Sequence, residues 1–457
     1  MNEITPAPVP PPRSAQRQIW KFLSGLLTGK AAAGIISLGY LVIAARMLGV
    51  TEYGVLNLVH GYAVMIGGVI AFSGWHGLVR YGHDALLAGD HGRFRQLVRF
   101  MTLFEIGFFL LAVLIAVILV PFIGPRLGWP PAAMQLAPLY TLSIIATVRT
   151  TPNGILQIAE RFDLIGWHQI VMPVTRLFGA VLAWLNGWGL TGFIWVWLAS
   201  AVAEGLSMWI MGLWQFRKMN LAHASRATLR EVNRANPGFM RFILTTNADI
   251  TLREFAPRAI PLVIGWILGP AATGLYSLAQ RASVILQQPA QMLGHASYAV
   301  AARLAAEGKS EESRTAIWKS VGLATLAALP VALVISLFAR QLLELLGGKG
   351  FEAAVLLLIL IVVGRALIVG GPTFSSALTA LGKPGQSIAV NLFTNIGLLP
   401  LLPLFLNWFG IEGAGYHLML QSVLALILLG WLVRVAQNES LQRSAAGALD
   451  IDEPRRS

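Results

Sequence analysis

Seven basic residues stand inside long, otherwise apolar stretches of this chain: Lys30, Arg149, Arg176, Arg253, Arg258, Arg281 and Arg365. Four acids share those stretches, Glu105, Glu204, Asp249 and Glu254, so the apolar interior keeps a net +3 even if every acid meets a base. An ionisable side chain at helix-centre depth costs at least ~2.5–3.5 kcal/mol in hydrocarbon, so such residues face a wet cavity or a partner. Arginine's planar fork matches phosphate oxygens two at a time. A cleft lined by these bases suits an anionic, phosphate-bearing cargo and disfavours a cationic one.

Each of these residues also has a purely structural reading. Lys30 and Glu105 sit about a third of the way into their stretches and can snorkel to the membrane surface. Arg149, Arg176 and Arg365 can staple neighbouring helices through backbone carbonyls or Glu204. The segment Asn247–Arg258 is the richest. There Asp249 and Arg253 are four apart, as are Glu254 and Arg258, a spacing that makes two intrahelical ion pairs. Pro257 and Pro261 follow at once and favour a bend. Arg253 and Arg258 differ by about 140° of helix rotation, so a shared cleft requires that bend. Arg258 and Arg281 fall at a similar depth, with Arg253 roughly two turns nearer the cytoplasm, a ladder along which an anionic head group can pass.

No resident cofactor or nucleotide site is expected. Gly25–Ala31 is one residue short of a P-loop, lacks its Ser/Thr and lies within an apolar stretch. An ion gradient is the remaining energy source. Asn391 and Asn395 are four apart with Thr394 beside them, and with Asp249 they supply hard oxygens for Na⁺; Asp249 or Glu254 can instead carry a proton. Hydrogen bonding between helices is the plainer role for the two asparagines. The eight histidines show no metal spacing, and Asp450-Ile451-Asp452 lies in a polar tail.

The elements that position these groups are membrane helices. Of 457 residues, 56% are hydrophobic and 12% charged, with a mean hydropathy of +0.67. A soluble chain carries ~25% charged residues, so a soluble enzyme is excluded, and no water-soluble domain remains for a single-pass receptor. A net charge of +13 would suggest nucleic acid in a soluble protein, but in a membrane protein it reflects basic cytoplasmic loops. With no cysteine, disulfides and thiolate metal sites are impossible.

The fold expected is an all-α polytopic membrane protein of about twelve transmembrane helices. The spans fall near 22–46, 54–80, 99–123, 134–158, 165–186, 190–216, 239–267, 273–300, 317–343, 353–380, 386–408 and 412–435. On this division 23 Lys and Arg lie in one set of loops and tails and four in the other, which puts both termini in the cytoplasm. The proline-rich residues 1–20 read as a disordered cytoplasmic tail, 21–216 as a six-helix bundle, 217–238 as a basic linker with amphipathic character, 239–436 as a second six-helix bundle, and 437–457 as a cytoplasmic tail.

The two bundles are copies. Leu48–Leu58 aligns with Leu268–Leu278 as L-G-x4-G-x3-L at an offset of 220, and the same offset pairs Pro152 with Pro372. An offset of 221 pairs Asn186…Gly192 with Asn407…Gly413. Six spans is an even number, so the repeats are parallel, about an axis along the membrane normal.

Ala45-Arg46-Met47-Leu48-Gly49-Val50-Thr51-Glu52-Tyr53-Gly54 resembles the A-R-x-L-G-x-x-x-Y-G stretch that follows the first helix of Wzx-type polysaccharide flippases. Leu268–Tyr276 resembles the L-G-x-x-x-x-G-x-Y stretch after their seventh helix. These proteins belong to the multidrug/oligosaccharidyl-lipid/polysaccharide exporter superfamily, and the resemblance extends over nearly the whole chain in span count and order. It implies a bacterial inner-membrane flippase that moves an undecaprenyl-pyrophosphate-linked oligosaccharide, an O-antigen or exopolysaccharide repeat unit, to the periplasmic leaflet. It also implies membrane lipid and a polysaccharide polymerase as partners, and a cleft lined by helices one, two, seven and eight, which favours Lys30, Arg253, Arg258 and Arg281. Sodium-binding relatives carry a carboxylate in helix eleven, which this chain lacks. The competing classes are a multidrug or metabolite antiporter of the same fold, which would want acids to exceed bases in the cleft, and a membrane glycan polymerase or ligase, which would want a large external loop.

Overall fold

Long runs of Leu, Ile, Val, Ala and Phe must satisfy every backbone N–H and C=O internally when water is absent, and a helix does so within one segment. The computed structural model describes residues 12–72, 74–219, 229–284 and 310–451, and among them there are helices and no strand. Ten helices among the described residues are long and apolar enough to cross a bilayer. Two of the ten contain a glycine with a left-handed backbone. Gly49 (φ 65°, ψ −177°) breaks Pro12–Ile70, and Gly269 (φ 83°, ψ −179°) breaks Phe239–Ser283. Both φ values are positive, which glycine alone adopts at little cost. Each of these two breaks falls where two expected spans meet, so the described helices follow the expected division. The tail segment 1–11, linker residues 220–228 and the second half of span eight, 285–300, lie outside the described residues.

The repeat is visible in the helix breaks as well. Span four passes through a 3₁₀ stretch, Thr141–Thr147, and restarts as a helix at Thr150, with Pro152 in its first turn. Span ten ends a first helix at Leu367 and restarts at Gly371 with Pro372 in its first turn. Proline is tolerated there because its missing N–H would be unbonded in any case. Span seven keeps helical backbone angles through Pro257 and Pro261, and its break falls at Gly269.

Packing divides the chain into two compact units. The first comprises 1–44, 66–120 and 132–251, with a core of fully buried Phe72, Phe94, Leu97, Met101, Phe239 and Ile243. The second comprises 45–65, 121–131 and 252–457. Its core of Ile317, Val321, Phe374, Leu378, Leu429 and Val433 joins spans nine, ten and twelve. Residues 45–65 fall in the second unit because Gly54 lies against the backbone of Pro270 and Gly274, and Tyr53 edges onto the ring of Phe351 at 5.9 Å.

Candidate substrate site

In the second unit, spans seven, ten and eleven enclose a cavity of about 520 Å³. Arg253 enters it from span seven, Ser375, Ser376 and Thr379 from the last turns of span ten, and Ser387, Asn391 and Asn395 from span eleven. The loop between spans ten and eleven is three residues, 381–383, so their polar ends are held side by side. Asn391 Nδ2 donates to Ser387 O at 2.8 Å and Asn395 Nδ2 to Asn391 O at 2.8 Å. Each amide thus uses an N–H on its own helix and retains its Oδ1 as an acceptor. Thr379 Oγ1 similarly donates to Ser375 O at 2.9 Å. Residues Phe393–Gly397 form a π-helical turn at the cavity wall, an irregularity frequent at functional sites. No carboxylate is among the described residues lining the cavity.

The remaining sequence candidates are distributed elsewhere. Arg258 Nη2 lies 3.4 Å from Glu254 Oε2, the expected i,i+4 pair. Arg365 is 9% exposed, and its Nη1 is buried with no hydrogen-bond partner among the described residues. Tyr276 is the aromatic group within its electrostatic reach. Arg281 is exposed. Lys30 lies in the first helix, where its side chain is outside the described residues. Asp249, in the first unit, is within electrostatic reach of His76.

The other bases of the first unit are tied into polar networks. Arg149 Nη1 meets Glu204 Oε1 at 3.1 Å, and the same oxygen lies 3.8 Å from His168 Nε2. His168 Nδ1 is 3.0 Å from Ser207 Oγ. Arg176 donates to Ser200 Oγ at 3.0 Å and lies 4.9 Å over the Trp197 ring. Glu105 does not snorkel. It is 1% exposed and accepts from the backbone N–H groups of Thr150 and Thr151 at 2.5 and 2.9 Å. The carboxylate thereby caps the restarted half of span four, whose first N–H groups lack helical partners.

Sequence reasoning reached Arg253, Asn391 and Asn395 but missed Ser375, Ser376, Thr379 and Ser387. The signal was present: Ser375 and Thr379, then Ser387, Asn391 and Asn395, repeat every four residues and so fall on one helix face each.

Apolar helices long enough to cross a bilayer, basic side chains within them and a polar cavity mark a polytopic membrane protein. The sequence matches the family described as "Polysaccharide biosynthesis protein" over residues 43–356, and the chain belongs to that family. Inner membrane protein YghQ of Escherichia coli (strain K12) is 31% identical over 269 residues, covering 58% of this chain and 76% of that protein. The fold is similar to that of the lipid II flippase MurJ in an inward closed conformation, with a TM-score of 0.67 at 13% identity over 94% of this chain and 93% of that one. It is also similar to an inward-facing multidrug resistance MATE family transporter, with a TM-score of 0.66 at 16% identity over 89% and 95% of the two chains. The chain is a multi-pass, all-helical membrane protein of the polysaccharide-biosynthesis family, with a fold like that of these solved transporters.

Proposed function

We propose that this protein is a transporter that moves an undecaprenyl-pyrophosphate-linked oligosaccharide from the cytoplasmic to the periplasmic leaflet of the inner membrane by ion-coupled alternating access. The observation that carries the reading is the Arg253 cavity, a fixed cation among hydroxyl and amide side chains with no acid among the described lining residues. At an effective dielectric of about 20, a unit anion 4 Å from the guanidinium is attracted by about 4 kcal/mol, and a cation is repelled by as much. The guanidinium thus favours an anionic group such as pyrophosphate over a cationic one. The guanidinium grips two phosphate oxygens at once. Ser375, Thr379, Asn391 and Asn395 exchange hydrogen bonds with sugar hydroxyls. Arg281 and Arg365 add positive charge to the second unit, where Arg258 is offset by Glu254, while Lys30, Arg149 and Arg176 belong to the first unit.

The same repulsion bears on coupling. A sodium ion between Asn391 and Asn395 would share its cavity with Arg253, so the carboxylates Asp249 and Glu254 are the better carriers of the coupling ion. The test is export in cells that carry Arg253→Ala. Lipid-linked precursor should accumulate on the cytoplasmic face while the protein still inserts. Export at the wild-type rate with normal protein levels would overturn the assignment.

A further inference from the structure

The second unit has another built site, away from the Arg253 cavity. Where span nine begins and span twelve ends, Arg314, Lys319 and Arg434 surround a cavity of about 590 Å³ together with Trp318 and Gln437. The Arg434 guanidinium lies 4.9 Å from the centre of the Trp318 ring, and the indole Nε1 donates to Gln437 Oε1 at 3.2 Å. That bond fixes the amide. Gln437 is 4% exposed, and its Nε2 has no hydrogen-bond partner among the described residues. A buried donor in this state is destabilising until an acceptor arrives. Glu311 lies 3.6 Å from the exposed Arg314, and Glu439 pairs with Lys383, but no acid is among the described residues of the lining.

Trp318 is also the upper wall of a second, apolar cavity of about 320 Å³. It runs down span nine along Val321, Thr325, Leu329 and Ala332, between Phe374 of span ten and Gly430 of span twelve. From Trp318 to Ala332 a helix rises about 21 Å at ~1.5 Å per residue, a little more than the ~15 Å of one leaflet's hydrocarbon. Leu329 is 53% exposed, and Leu326 and Leu333 beside it are also exposed, so this face of span nine meets lipid.

We propose that the two cavities together hold one anionic glycerophospholipid: its phosphate among Arg314, Lys319 and Gln437 Nε2, and an acyl chain in the slot beneath Trp318. Three cations at the mouth of an apolar groove one leaflet deep match a lipid phosphate, since each base near a membrane surface attracts anionic lipid. A soluble anion has no use for the slot, and a zwitterionic lipid has less use for the charge. Glycerophospholipid is also the lipid in which span nine is immersed.

The test is native mass spectrometry of the full-length protein, delipidated in mild detergent and titrated with phosphatidylglycerol, phosphatidylethanolamine or undecaprenyl phosphate. The wild type should retain one phosphatidylglycerol in preference to phosphatidylethanolamine. Arg314→Gln with Lys319→Gln should lower that retention about tenfold or more. Gly430→Leu should lower it with the charges intact. A Cβ at Gly430 meets Trp318 at 3.6 Å and Phe374 at 3.7 Å, ordinary contact distances, so the branch point is accommodated and the larger side chain extends toward the slot from there. The melting temperature of each variant, read in the same detergent, separates lost lipid from lost fold. Retention unchanged in both folded variants, equal retention of phosphatidylethanolamine, or retention of undecaprenyl phosphate in place of phosphatidylglycerol would each overturn the proposal.

Discussion

Gly54 and Gly274 occupy one seam twice over. A Cβ on Gly54 would lie 1.8 Å from the carbonyl oxygen of Pro270, and a Cβ on Gly274 would lie 2.2 Å from that of Val50. Val50 and Gly54 become Pro270 and Gly274 under the 220-residue offset, so each copy of the motif makes the same contact on the other. The duplication therefore survives as a local two-fold, with the breaks at Gly49 and Gly269 as its matching partners. Arg46 adds a clasp to the same unit by donating to Leu345 O at 2.7 Å.

Alanine at either seam glycine should destabilise the protein by about 1–3 kcal/mol through overpacking. Gly54→Ala and Gly274→Ala should lower the melting temperature of the purified protein by similar amounts, because they strike equivalent contacts. A variant that melts with the wild type would show that the seam opens freely in solution.

In the Arg253 cavity, charge and geometry separate. Arg253→Lys should restore only part of the export lost in Arg253→Ala, since lysine keeps the charge and loses the fork. Asn391→Leu should cost about 1 kcal/mol for each neutral hydrogen bond lost to cargo, read as a several-fold drop in export per molecule. Equal activity of the lysine and alanine variants would remove phosphate recognition from this residue.

Glu105→Gln removes one of two acceptors facing Thr150 N and Thr151 N and sets an amide N–H₂ against a backbone donor. A loss of about 1–3 kcal/mol follows, measured as reduced abundance in the membrane and a lower melting temperature. Transport per folded molecule should be little changed. If transport fails at wild-type abundance, the carboxylate does more than cap span four.

Coupling and topology can be checked in cells. Export should stop when the ion gradient is collapsed and persist through ATP depletion if the gradient is held. Asp249→Asn with normal export would remove that residue from coupling. Reporter fusions after Pro125, Gly187 and Gly348 should report periplasm, and those after Gly92, Arg230 and Lys309 cytoplasm; one inverted reading within either half would undo the six-plus-six arrangement.

The membrane class, the helical fold and the two-copy plan were legible in the chain itself because they depend on local or periodic properties. Hydrocarbon admits only segments that bond their own backbone, and a duplication leaves Leu48-Gly49 and Leu268-Gly269 at a constant spacing whatever they touch. The pairing of charges was fixed by spacing where it was local and was one option among several where it was not. Glu254 and Arg258 meet because one helix turn brings them together, whereas Arg149 meets Glu204, 55 residues on, through packing of separate spans. The fate of Glu105 was hidden for the same reason: its partners are N–H groups released by a break in span four, 45 residues away. Pro257 and Pro261 lie within continuous helix, whereas the break in backbone angles falls at Gly269, a position a left-handed φ reserves for glycine. Arg253 could be singled out as a membrane-depth cation. That it shares a cavity with Ser375, Thr379 and Asn391 was decided by tertiary structure alone, because three spans remote in sequence must converge before a stripe on each becomes a wall of one site.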